Sequence, residues 1–326
     1  MGAEMSFLTT WPRERYLPTA FDDFKATSAL HLGTARALMW MSQLAYEPDF
    51  LMRASSTAKV EDILNSWNLK LAKLISVPVS SAVPLVSRDA IVAIGHDAII
   101  VAFAGTDPAR LQDWATNFNQ KPAATGISTG YGSASSAVVP DLQKFLAQQI
   151  APPLNSLKIF LTGHSLGGAL AVGLADELSR RNVCDVEAVY TYGMPRTGNT
   201  AFAASYDQRL GQRTYRFVHG DDVVPMVPPV NFHGQTNQHV GFLLHCARDA
   251  TFVSEQQSSG TTSNDPDRTT ADILASFVEV ASLASRLQIA ADVLNRGGSA
   301  LDVAIELSPP RVRQHLQDRY IAALTA

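Results

Sequence analysis

The residues with the clearest capacity for chemistry form a Gly-x-Ser-x-Gly pattern around Ser165. An apolar run at residues 157–161 leads into Gly163, and apolar side chains at helical spacing follow Gly167. A strand that turns into a helix within a few residues brings backbone segments so close that a Cβ would collide, and the two glycines remove that collision. The pattern predicts a nucleophile elbow with the Ser165 hydroxyl at its apex. The Leu166 amide, at the start of the helix, would form half of an oxyanion hole.

A serine hydroxyl becomes an effective nucleophile only beside a base, and that base needs a carboxylate to fix its tautomer and stabilise the imidazolium. Candidates for both groups lie downstream of Ser165. Asp221 and Asp222 follow a predicted strand and precede an apolar-apolar-Pro step. The candidate bases are His233, His239, His245 and His315. Residue type and spacing alone leave the choice within each set open.

Periodicity along the chain predicts the elements that must position these residues. Helices are expected at residues 34–46, 60–75 and 139–151, and strands at 90–94, 98–104, 157–161, 186–192, 214–218 and 241–244. The first two strands flank a Gly-His-Asp turn, which predicts a hairpin. Strands alternating with helices of this length predict a mostly parallel sheet, and ligands of such sheets bind beyond the carboxyl ends of the strands.

The length of 326 residues, with 46% hydrophobic and 17% charged residues, suits one α/β domain covering residues 1–326, with two smaller domains as the alternative. Residues 254–270 are polar without apolar periodicity, which predicts an exposed loop. A helix is expected over 271–295, where apolar residues repeat at steps of four and three. The stripe is typical of a helix docked on the core, with a surface for a partner or a membrane as the alternative. We therefore expect residues 251–308 to form an exposed loop plus a helical insertion.

Four stretches of the chain, including the elbow, resemble the class 3 or fungal-type lipases of the α/β-hydrolase superfamily. They are residues 101–107, 163–168, 189–199 and 217–225. The likeness runs from about residue 30 to 250 and resumes in the last few residues. It implies an α/β-hydrolase fold, with a mostly parallel central sheet flanked by helices and a helical insertion before a C-terminal catalytic histidine. It also implies a serine esterase that hydrolyses lipid carboxylic esters through an acyl-enzyme, as a triacylglycerol lipase or carboxylesterase.

The same resemblance implies roles for individual residues. The family's aspartate directly precedes the apolar-apolar-Pro step, which selects Asp222 as the acid. Its catalytic histidine lies near the C-terminus before a short helix ending in an aromatic residue, which matches His315, with His245 as the fallback. The family's His-Val-Gly step matches His239 and is structural there. The second oxyanion donor is expected from Thr106, together with the Leu166 amide.

A lid is also expected after the oxyanion turn. Asp107-Pro108 predicts the start of a short helix, because Asp caps helices and Pro suits their first position. The apolar face of this helix would be formed by Leu111, Trp114 and Phe118. The resemblance favours a mobile lid that contacts substrate and a lipid interface, and the alternative is a fixed helix packed on the sheet.

The composition excludes other classes of protein. A net charge of −4 and the lack of a basic cluster argue against a nucleic-acid partner. No apolar run approaches the length of a transmembrane segment, and no motif predicts a metal or other cofactor. The first residues lack a secretory leader, which favours a cytoplasmic chain or leaderless export without excluding a secreted mature form. Cys184 and Cys246 are expected to be buried free thiols.

Two rival functions remain open from the sequence. One is an esterase or acyltransferase for small or aromatic esters, which would use the same serine chemistry. The other is a catalytically inactive α/β-hydrolase that serves as a binding module. Retention of Ser165, Asp222 and an eligible histidine argues against the inactive form.

Overall fold

The computed structural model describes residues 10–48, 53–77, 89–106, 125–149, 158–232, 234–253, 283–297 and 306–325. Its strands are β1 (Lys70–Ser76), β2 (Asp89–Gly95), β3 (Ala98–Phe103), β4 (Lys158–His164), β5 (Val186–Tyr192), β6 (Gly198–Asn199), β7 (Thr214–His219), β8 (Asn231–Phe232), β9 (Gln235–Gln238) and β10 (Phe242–Cys246). Its helices are α1 (Leu32–Leu44), α2 (Arg53–Ser66), α3 (Thr129–Gln149), α4 (Leu166–Arg180), α5 (Thr200–Leu210), α6 (Leu283–Asn295), α7 (Pro310–His315) and α8 (Gln317–Thr325).

Seven of the described strands form one sheet in the order β1-β2-β3-β4-β5-β7-β10. The first three strands pair antiparallel, and β3, β4, β5, β7 and β10 pair parallel. Strands β6, β9 and β8 form a second, separate sheet in that order, and its strands pair antiparallel. The expected mostly parallel sheet is confirmed. Its parallel strands β3, β4, β5 and β7 all end at the same edge, where the candidate site residues follow.

The sheet is covered by helices on both faces because its strands present apolar side chains on both sides. In β3, Ile99, Val101 and Phe103 belong to one hydrophobic cluster, while Ile100 and Ala102 belong to the other. Helices α3 and α4 pack on the first side, and α1 and α8 pack on the second. Two buried cores thus hold the sheet rigid beneath the edge that carries the site.

The hairpin between β2 and β3 has the expected turn. Gly95 pairs with Ala98, and the two residues between them, His96 and Asp97, adopt φ values of 51° and 58°. Two successive positive φ values match the right-handed twist of a two-residue hairpin. The Gly-His-Asp signal in the sequence is therefore confirmed.

The single helix expected over residues 60–75 is wrong. Helix α2 ends at Ser66, and Lys70 begins β1. Asn68 lies between them with a φ of 55°. The Leu69 amide donates to the Leu64 carbonyl at 2.9 Å, and the Asn68 amide donates to the Asn65 carbonyl at 3.1 Å. These bonds form a Schellman motif, in which the residue of positive φ stops the helix. The apolar spacing continues into β1 and hides this boundary.

The expected insertion is described only in part, since residues 254–282 and 298–305 lie outside the described ranges. Residues 283–295 form helix α6, and none of residues 288–295 is buried. Leu294 is 57% exposed. Residues 288–295 are therefore not packed in the core, and the burial of the rest of the predicted stripe lies outside the description. A stripe at steps of four and three has the same spacing whatever it faces. In the described part of the chain, no helix has the length and apolar content needed to cross a bilayer.

Candidate active site

Ser165 occupies a strained turn between β4 and α4. Its φ of 58° and ψ of −133° lie in a region that side chains other than glycine avoid, at a cost of about 1–3 kcal/mol. Its amide donates to the Tyr192 carbonyl at 2.8 Å, which holds the turn in place. A Cβ on Gly163 would lie 2.2 Å from the backbone of Gly167, so the sharp bend requires glycine. The predicted elbow geometry is present.

The turn after β3 packs directly on this elbow. A Cβ on Gly167 would lie 2.3 Å from the Phe103 carbonyl oxygen, and one on Gly105 would lie 2.7 Å from the Cβ of Ser165. Thr106 therefore follows a residue in contact with Ser165, although 59 positions separate the two in the sequence (165 − 106). Within the described residues, the buried hydroxyls of Thr106 and Ser165 have no hydrogen-bond partner.

His315 and Asp222 form a buried pair at the same edge. Nδ1 of His315 lies 2.8 Å from Oδ2 of Asp222, and the two residues are 0% and 1% exposed. A carboxylate oxygen accepts, so Nδ1–H donates and Nε2 of the neutral ring keeps its lone pair. That Nε2 atom is buried and has no partner among the described residues. The other Asp222 oxygen accepts from the Val224 amide at 2.9 Å, which fixes the carboxylate.

Because Gly193 has no side chain, the Asp222 carboxylate and the His315 imidazole have room to meet beside it. Gly193 follows β5 with φ +60°, and a Cβ there would lie 2.7 Å both from Oδ2 of Asp222 and from Nδ1 of His315. A side chain at this position would therefore separate the carboxylate from the imidazole. This role was not predicted from the sequence. The signal was a glycine at the carboxyl end of a buried parallel strand.

Tyr320 is a further member of the site that the sequence analysis missed. Its hydroxyl donates to Oδ2 of Asp222 at 2.6 Å, the same oxygen that His315 contacts, and accepts from the His219 amide at 3.2 Å. Burial, with the negative charge of Asp222, raises the pKa of Tyr320 well above its ordinary value. The hydroxyl therefore stays protonated and keeps donating to Asp222. Its position five residues after His315, in the short C-terminal helix α8, was the available signal.

The other sequence candidates lie elsewhere. Asp221 is exposed and pairs with Arg248 at 3.3 Å. His245 is exposed, and its Nε2 donates to the Gly220 carbonyl at 2.9 Å. His239 is buried with Nε2 donating to the Pro225 carbonyl at 2.8 Å. His233 lies outside the described residues.

The lid candidates Leu111, Trp114 and Phe118 also lie outside the described residues. In the part of the chain that is described, no group of three or more His, Cys, Asp or Glu side chains has the arrangement of a metal site. Cys184 and Cys246 are free thiols, the first half-buried and the second buried. Burial raises the pKa of Cys184 to about 11 and that of Cys246 to about 12, so both stay protonated at neutral pH.

Comparison with known proteins adds an independent observation to this geometry. Residues 100–232 match the family model of Lipase (class 3). This segment of the chain is therefore similar to the class 3 lipases. A secreted mono- and diacylglycerol lipase of Fusarium solani is 36% identical over 172 residues, which cover 46% of this chain and 50% of that protein. A second secreted mono- and diacylglycerol lipase, from Malassezia restricta, is 38% identical over 104 residues, covering 32% of this chain and 33% of that protein.

The chain thus spans half or less of the length of these relatives. A solved structure of a mono- and diacylglycerol lipase from Aspergillus oryzae superposes with a TM-score of 0.55 at 22% identity, covering 72% of this chain and 88% of that one. Identity at this level shows the fold, and the fold is the expected α/β-hydrolase.

The expectation of a cytoplasmic lipase, or of leaderless export, is wrong. Both relatives above are named as secreted proteins, which points to an extracellular location. The expectation rested on the missing leader pattern at the N-terminus. That pattern is absent from any mature chain after processing, so its absence does not indicate the compartment.

Proposed function

We propose that this chain is a serine hydrolase of lipid carboxylic esters, with Ser165 as nucleophile, His315 as base and Asp222 as the acid that orients it. The single observation that carries the proposal is the buried bond between His315 and Asp222, at 2.8 Å between residues 93 positions apart, beside the strained turn of Ser165. A buried acid and base beside a strained serine is the arrangement that acyl transfer requires. The match of residues 100–232 to the class 3 lipase family model supports the choice of an ester as substrate.

The proposed reaction proceeds through an acyl-enzyme. Oγ of Ser165 attacks the ester carbonyl carbon while Nε2 of His315 takes the hydroxyl proton. Asp222 stabilises the resulting imidazolium through the Nδ1–H bond. The imidazolium then gives its proton to the departing alcohol oxygen, which leaves the acyl group on Ser165. His315 then takes a proton from a water molecule, whose oxygen attacks the acyl carbon. The imidazolium gives that proton to Oγ of Ser165 as the bond between Oγ and the acyl carbon breaks, which releases the carboxylic acid and the free serine.

Each tetrahedral intermediate carries a negatively charged oxygen, which hydrogen-bond donors of the protein must stabilise. We propose the Thr106 amide and hydroxyl and the Leu166 amide for this role. The Leu166 amide lies at the N-terminus of α4, where the first amides lack intrahelical acceptors and the helix dipole favours negative charge. Removal of one such donor lowers kcat by a factor of about 10² to 10³. The contact of the Gly105 turn with Ser165 supports the assignment of Thr106.

We propose mono- and diacylglycerols as the substrate class and an extracellular site of action, following the names of the relatives. The test is a panel of esters graded by acyl length, together with mono-, di- and triacylglycerol. Long-chain mono- and diacylglycerols are expected to give the highest kcat/KM. A preference for small or aromatic esters would support the rival esterase, and transfer of the acyl group to an alcohol in place of water would support an acyltransferase.

Residues 107–118 are proposed as a lid whose apolar side chains, including Trp114, cover Ser165 until a lipid surface draws them away. The test of a mobile lid is the hydrolysis rate of a long-chain ester, measured at substrate concentrations below and above its solubility limit. A mobile lid predicts a rise in rate when droplets form, and Trp114→Ala should reduce that rise. Smooth saturation, with Trp114→Ala changing only the melting temperature, would identify a fixed helix.

We also propose that residues 1–326 fold as one domain that contains residues 251–308 as an insertion. Bonds between distant segments support this. Tyr192 in β5 donates to the Ala35 carbonyl in α1 at 2.5 Å, and the His219 amide in β7 donates to the Tyr320 hydroxyl in α8 at 3.2 Å. The helices at both ends of the chain are thereby attached to the central sheet.

Asp222→Asn is expected to lower kcat by roughly 10⁴, because the amide cannot hold His315 in the tautomer that leaves Nε2 free. Asp221→Asn is the matched control, since it makes the same chemical change one residue away on an exposed side chain. We expect Asp221→Asn to leave kcat within a few-fold of wild type, because exposed ion pairs contribute little. Steady-state kinetics on a soluble ester compare the two. The opposite ranking would assign the acid to Asp221.

A further inference from the structure

His164, the residue before the nucleophile, is bonded to the segment that carries His315. Its Nε2 lies 2.6 Å from the carbonyl oxygen of His315, and its Nδ1 lies 2.9 Å from the hydroxyl of Tyr46. A carbonyl oxygen only accepts, so Nε2–H is the donor. In the neutral ring Nδ1 must then accept, and the Tyr46 hydroxyl donates to it. Both ring nitrogens are therefore satisfied by one tautomer.

The His315 carbonyl needs such a donor. His315 is the last residue of α7, and Leu316 follows with a ψ of 147°, outside the helical region. The last carbonyls of a helix lack intrahelical partners and require donors from elsewhere when they are buried. His315 is fully buried, so water does not serve this carbonyl. His164 supplies the donor from the turn that holds Ser165.

The two imidazole rings also pack on each other. Their centroids are 4.5 Å apart with an interplanar angle of 33°, and the Tyr320 ring lies edge-on to His164 at 5.9 Å. His164 is 1% exposed. Burial, with the nearby His315, lowers the pKa of His164 well below its ordinary value. The ring therefore stays uncharged beside the position where the His315 imidazolium forms.

We propose that His164 is a positioning residue for the reaction, which fixes the backbone and ring of His315 relative to Ser165 through the Nε2–H bond and the ring contact. The inference rests on the proposed function. It explains how a base 150 positions away from the nucleophile (315 − 165) is held in register with it. Misplacement of a catalytic group by about 1 Å costs roughly 10²-fold in rate, so one bond at this place has a large effect on kcat.

The test compares two substitutions of His164. His164→Leu removes donor and acceptor with little change in volume, and we expect kcat on a soluble ester to fall about 10- to 100-fold with KM nearly unchanged. His164→Gln keeps an N–H donor for the His315 carbonyl and an oxygen acceptor for Tyr46. We expect it to recover most of the lost kcat. A Gln variant as impaired as the Leu variant would overturn the bonding role.

Thr162→Val is the matched control for stability. Thr162 lies two residues earlier on the same face of β4, is fully buried, and bonds to Ser42 in α1 at 2.9 Å. Its replacement removes buried hydrogen bonds to Ser42 and to the Tyr190 carbonyl without touching His315, so we expect a lower melting temperature and an unchanged kcat. If His164→Leu shows the same pattern, His164 acts only in packing and the proposal is wrong.

A second readout does not depend on turnover. The Nδ1–H proton of His315, bonded to Asp222, should give a downfield proton NMR signal that disappears in His315→Ala. We expect this signal to shift or broaden in His164→Leu and to persist in Thr162→Val. An unshifted signal in His164→Leu would overturn the proposal. A wild-type protein that fails to react with a fluorophosphonate probe, while its NMR signal responds as expected, would instead overturn the proposed function.

Discussion

Ser165→Ala is expected to lower kcat by on the order of 10⁶ and to leave the fold intact, because removal of the nucleophile from a triad is as damaging as removal of the whole triad. The loss of stability should be small. Alanine meets the same positive φ as serine, so the strain of the turn is unchanged, and the Ser165 hydroxyl makes no hydrogen bond within the described structure. Hydrolysis of a soluble ester and covalent labelling by a fluorophosphonate probe measure the effect, and thermal unfolding checks the fold.

Ser135→Ala is the matched control for this prediction. Ser135 is also fully buried, in α3, but its hydroxyl donates to the Leu170 carbonyl at 3.0 Å and lies outside the site. We expect Ser135→Ala to be labelled and active, with a modest loss of stability from the missing hydrogen bond. If Ser165→Ala kept activity within tenfold of wild type, the serine mechanism would be ruled out. A probe that labelled Ser165→Ala would show a different nucleophile.

Two local turns were predictable from the sequence. The turn of Ser165 could be predicted because the glycines around it are required by contacts within a few residues, and a Cβ on Gly163 would indeed strike Gly167. The β2–β3 hairpin was predictable for the same reason, since His96 and Asp97 form the whole turn. In each case the physical cause lies between neighbours in the sequence.

The parts that depend on tertiary packing were not predictable from residue type. Asp221 and Asp222 have the same chemistry, and only burial distinguishes them, because one pairs with exposed Arg248 and the other with His315. The space that Gly193 leaves for that pair, and the Tyr320 hydroxyl on Asp222, appear only when the ends of β5 and β7 meet helices α7 and α8. Family resemblance selected Asp222 and His315 in advance, and their assigned roles remain predictions for mutagenesis.

The second large effect is expected for His315→Ala, which should lower kcat about as much as the serine substitution, on the order of 10⁶. Within the described residues, the imidazole Nε2 of His315 faces no hydrogen-bond partner, and its Nδ1 is held by Asp222, which is the arrangement of a base ready to accept a proton. His245→Ala is the matched control, because His245 is exposed and bonds to the Gly220 carbonyl. We expect it to keep kcat near the wild-type value. If His245→Ala alone abolished activity in a well-folded protein, the base would be reassigned to His245.

Loss of the base must be separated from loss of packing, because His315 is fully buried between Asp222 and the His164 ring. His315→Ala leaves a cavity there, and cavities of this kind destabilise by about 2–5 kcal/mol. His315→Gln fills more of the space and can still donate to Asp222, but an amide has no basic nitrogen to take the Ser165 proton. We therefore expect His315→Gln to recover much of the melting temperature while its kcat stays as low as that of His315→Ala. Activity that returned with stability would mean that His315 serves the fold, and that another group accepts the proton.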